Sequence, residues 1–262
     1  MKPGKVEKYI YEVLSTKGAM LFTLIDPVDY QNEEDVIKVA RIVYENGADT
    51  ILVGGSVGVQ GEELDAILKK IRENVDIPIV LFPGNIATIS KFADAMYFMI
   101  LLNSRNPYWI STAQALAAPV VKKLGIEAIP VSYILVSPGG SAGWVGDANL
   151  LPRERPKLAV ALALAGEMLG TRFVILDTGS GPKDFGYGHI PNRMINEVKQ
   201  NISIPLIVGG GITTKKELKE VLESGADIVQ VGTALQGEKE ERLKKKIEEF
   251  SKVIKEVGKR KV

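Results

Sequence analysis

Short apolar runs recur along the chain and alternate with amphipathic segments of helical length. Strands that alternate with helices in this way are typical of a parallel sheet with crossover helices. Eight runs fit strands, at residues 19–25, 50–53, 79–82, 95–101, 128–135, 173–176, 206–208 and 228–231. Eight such units within 262 residues predict an α/β fold, a modified (β/α)₈ TIM barrel in which residues 1–262 form a single domain.

Two connections depart from a regular barrel. The segment between the third and fourth strands, residues 83–94, begins with Pro83-Gly84 and leaves no room for a crossover helix. The barrel is therefore expected to lack a regular third helix and to carry a groove on that side. The connection after the fifth strand, residues 137–152, is long and rich in glycine and proline. Its position favours an active-site loop, with a plain surface excursion as the alternative.

The C-terminal segment, residues 238–257, carries charges on one side and apolar residues at helical spacing on the other. Its apolar stripe consists of Leu243, Ile247, Phe250, Ile254 and Val257. This pattern predicts an amphipathic helix that closes the barrel. Gly47 and Gly225 stand in two similar tetrapeptides, Asn-Gly-Ala-Asp and Ser-Gly-Ala-Asp. Each tetrapeptide is expected to end a helix at the glycine and to lead into a strand.

Composition narrows the range of functions. The formal net charge is +1 and 25% of the residues are charged, so no strong field for nucleic acid is implied. Cysteine is absent, which excludes disulfides, a thiol nucleophile and a thiolate metal site. The longest apolar stretch, residues 93–102, contains Asp94 and is too short to cross a bilayer. We expect a cytoplasmic protein.

Three glycine clusters follow the last three predicted strands. They are Asp177-Thr178-Gly179-Ser180-Gly181, Gly209-Gly210-Gly211 and Gly232-Thr233. In this fold the loops after the last strands often hold a phosphate, because small residues let backbone N–H groups and a helix N-terminus approach the anion. Three clusters in these places predict a small phosphorylated substrate.

Two polar residues at other strand ends indicate a metal site. Asp26 ends the first strand before Pro27, and Ser56 follows Gly54-Gly55 after the second. Mg²⁺ prefers a few hard oxygen ligands and leaves its other positions to water and substrate phosphate. One carboxylate and one hydroxyl suit such an ion. The alternative is that Asp26 begins a turn and that the second segment only caps a helix.

Asp177 is the candidate catalytic residue. It ends the sixth strand directly before the first glycine cluster. A carboxylate there is placed to accept a proton from a hydroxyl of a bound phosphate ester, as general-base catalysis requires. The alternative is an Asx turn, in which the carboxylate satisfies amides of its own loop.

The remaining conspicuous side chains have weaker interpretations. His189 is the single histidine, so no second histidine or cysteine completes a zinc site with it, and we expect a structural or capping role. Tyr108 and Trp109 open the helix after the fourth strand, beside the predicted groove. They fit either a channel for an apolar substrate tail or a subunit interface.

Taken in order, the motifs resemble one enzyme family. They are Thr23-Leu24-Ile25-Asp26-Pro27, Val53-Gly54-Gly55-Ser56, Leu102-Asn103-Ser104, Leu176-Asp177-Thr178-Gly179-Ser180-Gly181, Val208-Gly209-Gly210-Gly211-Ile212 and Val231-Gly232-Thr233. The chain resembles the geranylgeranylglyceryl phosphate synthase family over nearly its whole length. Residues 161–170 are similar to the larger, mostly archaeal subgroup of that family.

The resemblance implies a Mg²⁺-dependent prenyltransferase of archaeal membrane phospholipid biosynthesis. The enzyme would join geranylgeranyl diphosphate to the 3-hydroxyl of sn-glycerol 1-phosphate in an ether bond and release diphosphate. Asp26 and Ser56 would bind Mg²⁺, and Asp177 would be the base. Glycerol phosphate would contact the three glycine clusters together with Ile175 and Leu176. The family usually has glutamate at the position of Asp177 and tyrosine at that of Ile175.

Three alternatives remain open at this point. A heptaprenylglyceryl phosphate synthase would use a longer prenyl chain. A phosphosugar isomerase-like barrel would share the phosphate site but needs a second acid/base or a lysine at a strand end, which the chain does not show. A non-catalytic phosphoprenyl-binding barrel would bind without turnover. The family resemblance also implies a homo-oligomer. We further expect transient contact with a membrane surface and, from the net charge of +1, no nucleic-acid partner.

Overall fold

Eight parallel strands close into a barrel in the computed structural model, which describes residues 2–55 and 58–262. Each strand pairs with the next along the chain, and the eighth pairs with the first. The strands are β1 (Met20–Ile25), β2 (Thr50–Gly54), β3 (Ile79–Phe82), β4 (Ala95–Leu101), β5 (Glu127–Leu135), β6 (Phe173–Asp177), β7 (Leu206–Gly209) and β8 (Ile228–Val231). The predicted (β/α)₈ barrel is confirmed.

Helices surround the barrel and close one end of it. They are α1 (Lys5–Lys17), α2 (Glu33–Glu45), α3 (Gly61–Arg72), α4 (Ala113–Leu124), α5 (Gly140–Val145), α6 (Pro156–Met168), α7 (Asn192–Lys199), α8 (Lys215–Glu223) and α9 (Glu240–Gly258). Helix α1 differs from the others because its Val6 and Ile10 join the cluster that fills the barrel interior. It therefore plugs the end at which the strands begin. The predicted C-terminal helix is confirmed as α9, and all five residues of its stripe are buried.

Alternation along each strand sorts side chains between the barrel interior and the layer under the helices. On β6, Phe173 and Ile175 belong to the interior cluster, whereas Val174 and Leu176 belong to the outer one. Successive side chains of a strand point to opposite faces. Asp177, the last residue of β6, therefore faces the interior at the end where the strands finish.

The regular third helix of the barrel, which would connect β3 to β4, is missing, as predicted. Between β3 and β4 the described chain forms a single 3₁₀ turn, Ile86–Thr88, which Asn85 caps by accepting a hydrogen bond from the Ala87 N–H at 2.7 Å. Such a short turn covers much less of the barrel wall than a helix would. The uncovered wall forms the side of the cavity described below.

The two glycine tetrapeptides behave as one repeated unit. Gly47 and Gly225 both have positive φ angles, +105° and +118°. The aspartate that follows each glycine turns its carboxylate onto the start of a neighbouring strand. Asp49 accepts a hydrogen bond from the Leu21 N–H at 2.8 Å, and Asp227 accepts one from the Leu206 N–H at 2.8 Å. The unit therefore links the end of a helix to the start of a neighbouring strand.

Among the residues that the structure describes, no helix is both long enough and apolar enough to cross a membrane.

Candidate active site

A deep cavity opens where the strands end and collects most of the predicted site. Eight predicted site residues line it: Asp26, Asp177, Gly179, Ser180, Gly210, Gly211, Gly232 and Thr233. Ile175, Leu176, Thr178, Gly181 and Gly209 lie in the same strands and loops but behind this lining. Ser56 lies outside the described residues, so its predicted metal role stays a prediction. The end of the barrel that holds these residues is the catalytic face of this fold.

The Asp177 carboxylate is buried and fixed by two donors. The Tyr133 hydroxyl donates to Oδ2 at 3.0 Å, and the Gly179 N–H donates to Oδ1 at 2.8 Å. Burial raises the pKa of Asp177, although these hydrogen bonds and one from the Thr178 backbone act in the opposite direction. The Gly179 contact is the Asx-turn bond that the sequence offered as the alternative. The carboxylate therefore satisfies its own loop and faces the cavity at the same time.

Tyr133 is a site residue that the sequence argument missed. It lies on β5 directly opposite Ile175 of β6 in the strand register. Its ring packs edge-on against Phe82, with centroids 5.4 Å apart, and its hydroxyl reaches Asp177. The alternation of side chains along β5 could have revealed Tyr133, because every second residue of a strand faces the barrel interior. The phenol thus stands beside the position where the family usually carries a tyrosine.

The glycines of the loops permit contacts that any side chain would block. A Cβ on Gly210 would lie 2.2 Å from Thr178 Oγ1 and 2.8 Å from Asp177 Oδ1. A Cβ on Gly179 would lie 2.2 Å from the Gly139 carbonyl oxygen. Both glycines also have positive φ angles, +80° and +77°. The loop after β6 can therefore lie against the loop after β7 and against the insertion after β5 only because these positions lack a side chain.

The insertion after β5 packs over the catalytic face, as predicted for an active-site loop. The Gly139 N–H donates to the Thr178 carbonyl oxygen at 2.9 Å. Helix α5 lies within the insertion, and its Ala142 and Val145 line the cavity. Arg153 holds the far end, because its guanidinium donates to the Ser137 carbonyl oxygen at 3.0 Å. The insertion forms one wall of the site.

Asp26 is the second carboxylate at the cavity. Its Oδ1 is buried and has no hydrogen-bond partner among the described residues. Burial raises the pKa of Asp26 to about 7, with smaller contributions from the charges of Asp29 and Asp177. None of the described residues that line the cavity is a lysine or an arginine. The site therefore presents two carboxylates with no cationic side chain to balance them.

An apolar groove continues the cavity on the side of the missing helix. Its lining includes Ile86, Ile89, Phe98, Trp109, Ala113 and Ala117. Gln114 ties the start of α4 to β4, because its Nε2 donates to the carbonyl oxygens of Met99 and Trp109 at 2.5 and 3.1 Å. Tyr108 packs edge-on against Trp109, with centroids 5.0 Å apart. Of the two aromatic residues, Trp109 faces the groove.

His189 is not one of the residues that line the cavity. Its Nδ1 is 2.7 Å from the Ile190 carbonyl oxygen, and its Nε2 is 3.4 Å from the Glu220 carboxylate. Both ring nitrogens thus contact protein groups, which agrees with the structural role predicted from the sequence. In the described part of the chain, no cluster of three or more histidine, cysteine, aspartate or glutamate residues is arranged to hold a metal.

Comparisons with known proteins identify the family. The model of the PcrB family matches residues 11–253. The chain is 51% identical over 260 residues to the geranylgeranylglyceryl phosphate synthase of Thermococcus sibiricus, a match that covers 98% of this chain and 99% of the relative. It is 50% identical to the protein of the same name from Pyrococcus horikoshii, with 95% of this chain and 96% of the relative covered.

The fold of this chain is also similar to that of a solved structure. The (S)-3-O-geranylgeranylglyceryl phosphate synthase of Thermoplasma acidophilum, crystallised in complex with its substrate sn-glycerol-1-phosphate, superposes with a TM-score of 0.89 at 33% identity. The match covers 97% of this chain and 100% of that one. On its sequence, its barrel and its near-complete overlap with these proteins, the chain belongs to the PcrB family, among the geranylgeranylglyceryl phosphate synthases.

Proposed function

We propose that the chain transfers a geranylgeranyl group from its diphosphate to the 3-hydroxyl of sn-glycerol 1-phosphate, which forms an ether and releases diphosphate. The observation that carries the proposal is the arrangement of one cavity. The cavity brings together a fixed carboxylate, Asp177, glycine loops suited to a phosphate, and an apolar groove suited to a prenyl chain. The family assignment narrows the phosphate ester to glycerol phosphate.

The glycine loops hold the phosphate in this proposal. Gly210, Gly211 and Gly232 line the cavity without side chains, so a phosphate can approach their backbone. Thr233 begins a 3₁₀ turn directly after Gly232, and the first backbone N–H groups of such a turn have no partner within it and can donate to an anion. A phosphate fixed there places the glycerol hydroxyls toward the Asp177 side of the cavity.

Asp177 is the proposed base. The 3-hydroxyl must lose a proton as its oxygen attacks the allylic carbon, and a carboxylate beside it can accept that proton. Burial raises the pKa of Asp177, which makes the carboxylate a stronger proton acceptor than an exposed one. Tyr133 acts as a positioning residue, because its hydroxyl fixes the orientation of Oδ2. Holding both reactants in place contributes to the rate as well.

Mg²⁺ is the proposed cofactor, with Asp26 and Ser56 as its protein ligands. The fit rests on the buried Oδ1 of Asp26, which lacks a partner among the described residues, and on the absence of a cationic side chain from the described lining. A magnesium ion needs only one or two protein oxygens when phosphate supplies others. When bound, it would neutralise the charge that develops on the departing diphosphate.

The apolar groove is the proposed site for the prenyl chain. Its side chains come from the 3₁₀ turn after β3, from β4 and from α4. Burial of a hydrocarbon yields about 0.8 kcal/mol per CH₂ group. A C20 chain therefore supplies enough free energy to hold an allylic diphosphate at the mouth of the cavity, close to Asp177.

We also propose that the chain forms a homo-oligomer through α4. Leu116, Val120 and Leu124 lie one turn apart on this helix, and they are 53%, 46% and 38% exposed. Apolar side chains at this spacing form a continuous stripe, and exposed apolar stripes mark interaction surfaces. Light scattering after gel filtration measures the mass; a Val120→Glu variant should dissociate the oligomer, and a monomeric wild-type protein would contradict the proposal.

The test of function is an ether-forming assay with labelled geranylgeranyl diphosphate and Mg²⁺. Label should enter a lipid that survives mild alkaline hydrolysis when sn-glycerol 1-phosphate is the acceptor, and much less label should enter with sn-glycerol 3-phosphate. Transfer from heptaprenyl diphosphate alone would instead assign the longer substrate. Binding of glycerol phosphate without transfer from any prenyl diphosphate would indicate a non-catalytic barrel.

A further inference from the structure

A buried amide inside the barrel has no role in the chemistry described so far. Gln230 lies on β8 between Val229 and Val231, both of which belong to the outer cluster, so the Gln230 side chain faces the interior. Only 3% of the residue is exposed, and its Oε1 has no hydrogen-bond partner among the described residues. A buried polar atom without a partner is unfavourable, so its presence in an otherwise apolar strand calls for a ligand.

The register of the strands places Gln230 in one row with Asp177. Asp177 is the Cα partner of Gly209, and Gly209 is the Cα partner of Gln230. The three residues thus lie side by side on β6, β7 and β8, all facing the interior. Adjacent strands are about 4.8 Å apart, so the Cα atoms of Asp177 and Gln230 are separated by roughly 10 Å. Gly209, between them, contributes no side chain.

Gly209 separates the Asp177 and Gln230 side chains without placing a side chain between them. A Cβ at this position would lie 3.3 Å from Asp177 Cγ, so the carboxylate leans over the glycine from one side. Gln230 stands on the other side and lines the same cavity. A carboxylate and an amide oxygen on opposite sides of a glycine can each accept a hydrogen bond from one of two neighbouring hydroxyls.

A glycerol phosphate presents two such hydroxyls. In the proposed function the phosphate is anchored in the glycine loops and the 3-hydroxyl faces Asp177, and these two contacts set the position of the central carbon. In the enantiomer, sn-glycerol 3-phosphate, the same two ends can occupy the same places, but the hydrogen and the hydroxyl on the central carbon exchange positions. Only a residue that contacts the central carbon's substituents can distinguish the two molecules.

We propose that Gln230 determines specificity for the acceptor by accepting a hydrogen bond from the secondary hydroxyl of sn-glycerol 1-phosphate. The proposal rests on the proposed function, because it assigns the second hydroxyl of that substrate. It makes Gln230 a specificity-determining residue, whereas Asp177 contacts the hydroxyl that reacts. A site whose buried polar group stays unpaired with the wrong substrate rejects that substrate strongly.

The test compares two acceptors in two proteins. 3-Hydroxypropyl phosphate keeps the phosphate and the reacting hydroxyl but lacks the secondary one. In the wild-type protein its kcat/KM should be about tenfold or more below that of sn-glycerol 1-phosphate. In Gln230→Met, which keeps the size and removes the amide, the ratio should fall below about threefold, and discrimination against sn-glycerol 3-phosphate should weaken in parallel.

The ratio of two substrates in one preparation cancels any loss of folded protein. Tyr97→Phe is the matched control, since Tyr97 OH is also a buried barrel atom without a partner among the described residues, and it should leave the acceptor ratio unchanged. A wild-type protein that uses both acceptors equally would overturn the proposal even if Gln230→Met did not fold. So would a ratio in Gln230→Met equal to that of wild type. Absence of ether formation from every acceptor in the wild-type protein would overturn the proposed function as well.

Discussion

The two ends of the barrel use aspartate in opposite ways. Where the strands begin, Asp49 pairs with Lys17 at 2.7 Å and Asp227 pairs with Lys199 at 2.6 Å. Each of these carboxylates also accepts a hydrogen bond from the backbone N–H of a neighbouring strand. Where the strands end, Asp26 and Asp177 face a cavity whose described lining has no lysine or arginine. The same residue type therefore stabilises one end and remains available to ligands at the other.

The difference has an energetic meaning. At the end where the strands begin, each carboxylate has a lysine and a backbone N–H as partners. Burial without a cation raises the pKa of Asp26 to about 7 and also raises the pKa of Asp177. The folded state thus holds these two charges at a cost, which a metal ion and a substrate hydroxyl can offset. Function and stability are separated along the barrel axis.

The largest expected effect is on catalysis. Asp177→Asn should lower kcat by about 10²- to 10⁴-fold, because a general base typically contributes that much. The fold should persist, since the amide oxygen can still accept from Gly179 and the Tyr133 hydroxyl can turn to accept from the amide. Steady-state kinetics and thermal unfolding measure the two effects. An unchanged kcat would remove Asp177 from the role of base.

A second change tests the stability cost of the Asp26 charge. Burial raises its folded-state pKa, so the stability it contributes is present below the unfolded pKa and is lost as pH rises through about 7. Without metal at pH 8, Asp26→Asn should therefore raise the free energy of unfolding by roughly 2–4 kcal/mol. Added Mg²⁺ with diphosphate should stabilise the wild type and not the variant. A variant less stable than wild type without metal would refute this account.

The opposite end should respond in the opposite sense. Asp49→Ala and Asp227→Ala should each lower the free energy of unfolding by about 1–3 kcal/mol, because each leaves a strand N–H and a lysine without their acceptor. The kcat of the folded fraction should stay within about twofold of wild type, since both residues are far from the cavity. Denaturant unfolding with activity per folded molecule checks the claim. A large loss of kcat without loss of stability would break the proposed separation.

The smallest expected effect is a pH dependence of metal binding. Mg²⁺ must displace the proton from Asp26, so its apparent affinity should fall about tenfold per pH unit below roughly pH 7 and level off above it. Titration of activity with Mg²⁺ between pH 5.5 and 8.5 gives this profile. The Asp26→Asn variant is the control, and it should lose the dependence. A wild-type profile that is flat across this range would contradict the raised pKa as the controlling factor.

Much of the fold followed from the sequence because its signals are local. Apolar runs and helix-ending glycines located all eight strands, and three of them, β3, β4 and β8, have the predicted bounds. The absence of a helix between β3 and β4 could be predicted from segment length alone. The remaining strands start or end one residue away from the prediction because strand ends depend on pairing with a neighbour, which no local pattern encodes.

The site was predicted less completely, because its assembly depends on register. Glycine clusters and strand-end carboxylates are visible in the sequence, so Asp26 and Asp177 could be named. Tyr133 and Gln230 could not, since each lies inside a strand, and an interior polar residue gains its meaning only from the residue opposite it. Tyr133 contacts Asp177 across 44 residues of sequence. Such a contact requires the closed barrel.

The most direct test of the central claim is a single-turnover measurement. A limiting amount of labelled sn-glycerol 1-phosphate, bound by excess enzyme, is mixed with excess geranylgeranyl diphosphate and Mg²⁺, and the rate of ether formation is compared for wild type and Asp177→Asn at matched acceptor occupancy. The account predicts similar acceptor affinity in both proteins and a chemical step at least about 10²-fold slower in the variant. Equal rates at equal occupancy would show that Asp177 only shapes its loop and that the chemistry lies elsewhere.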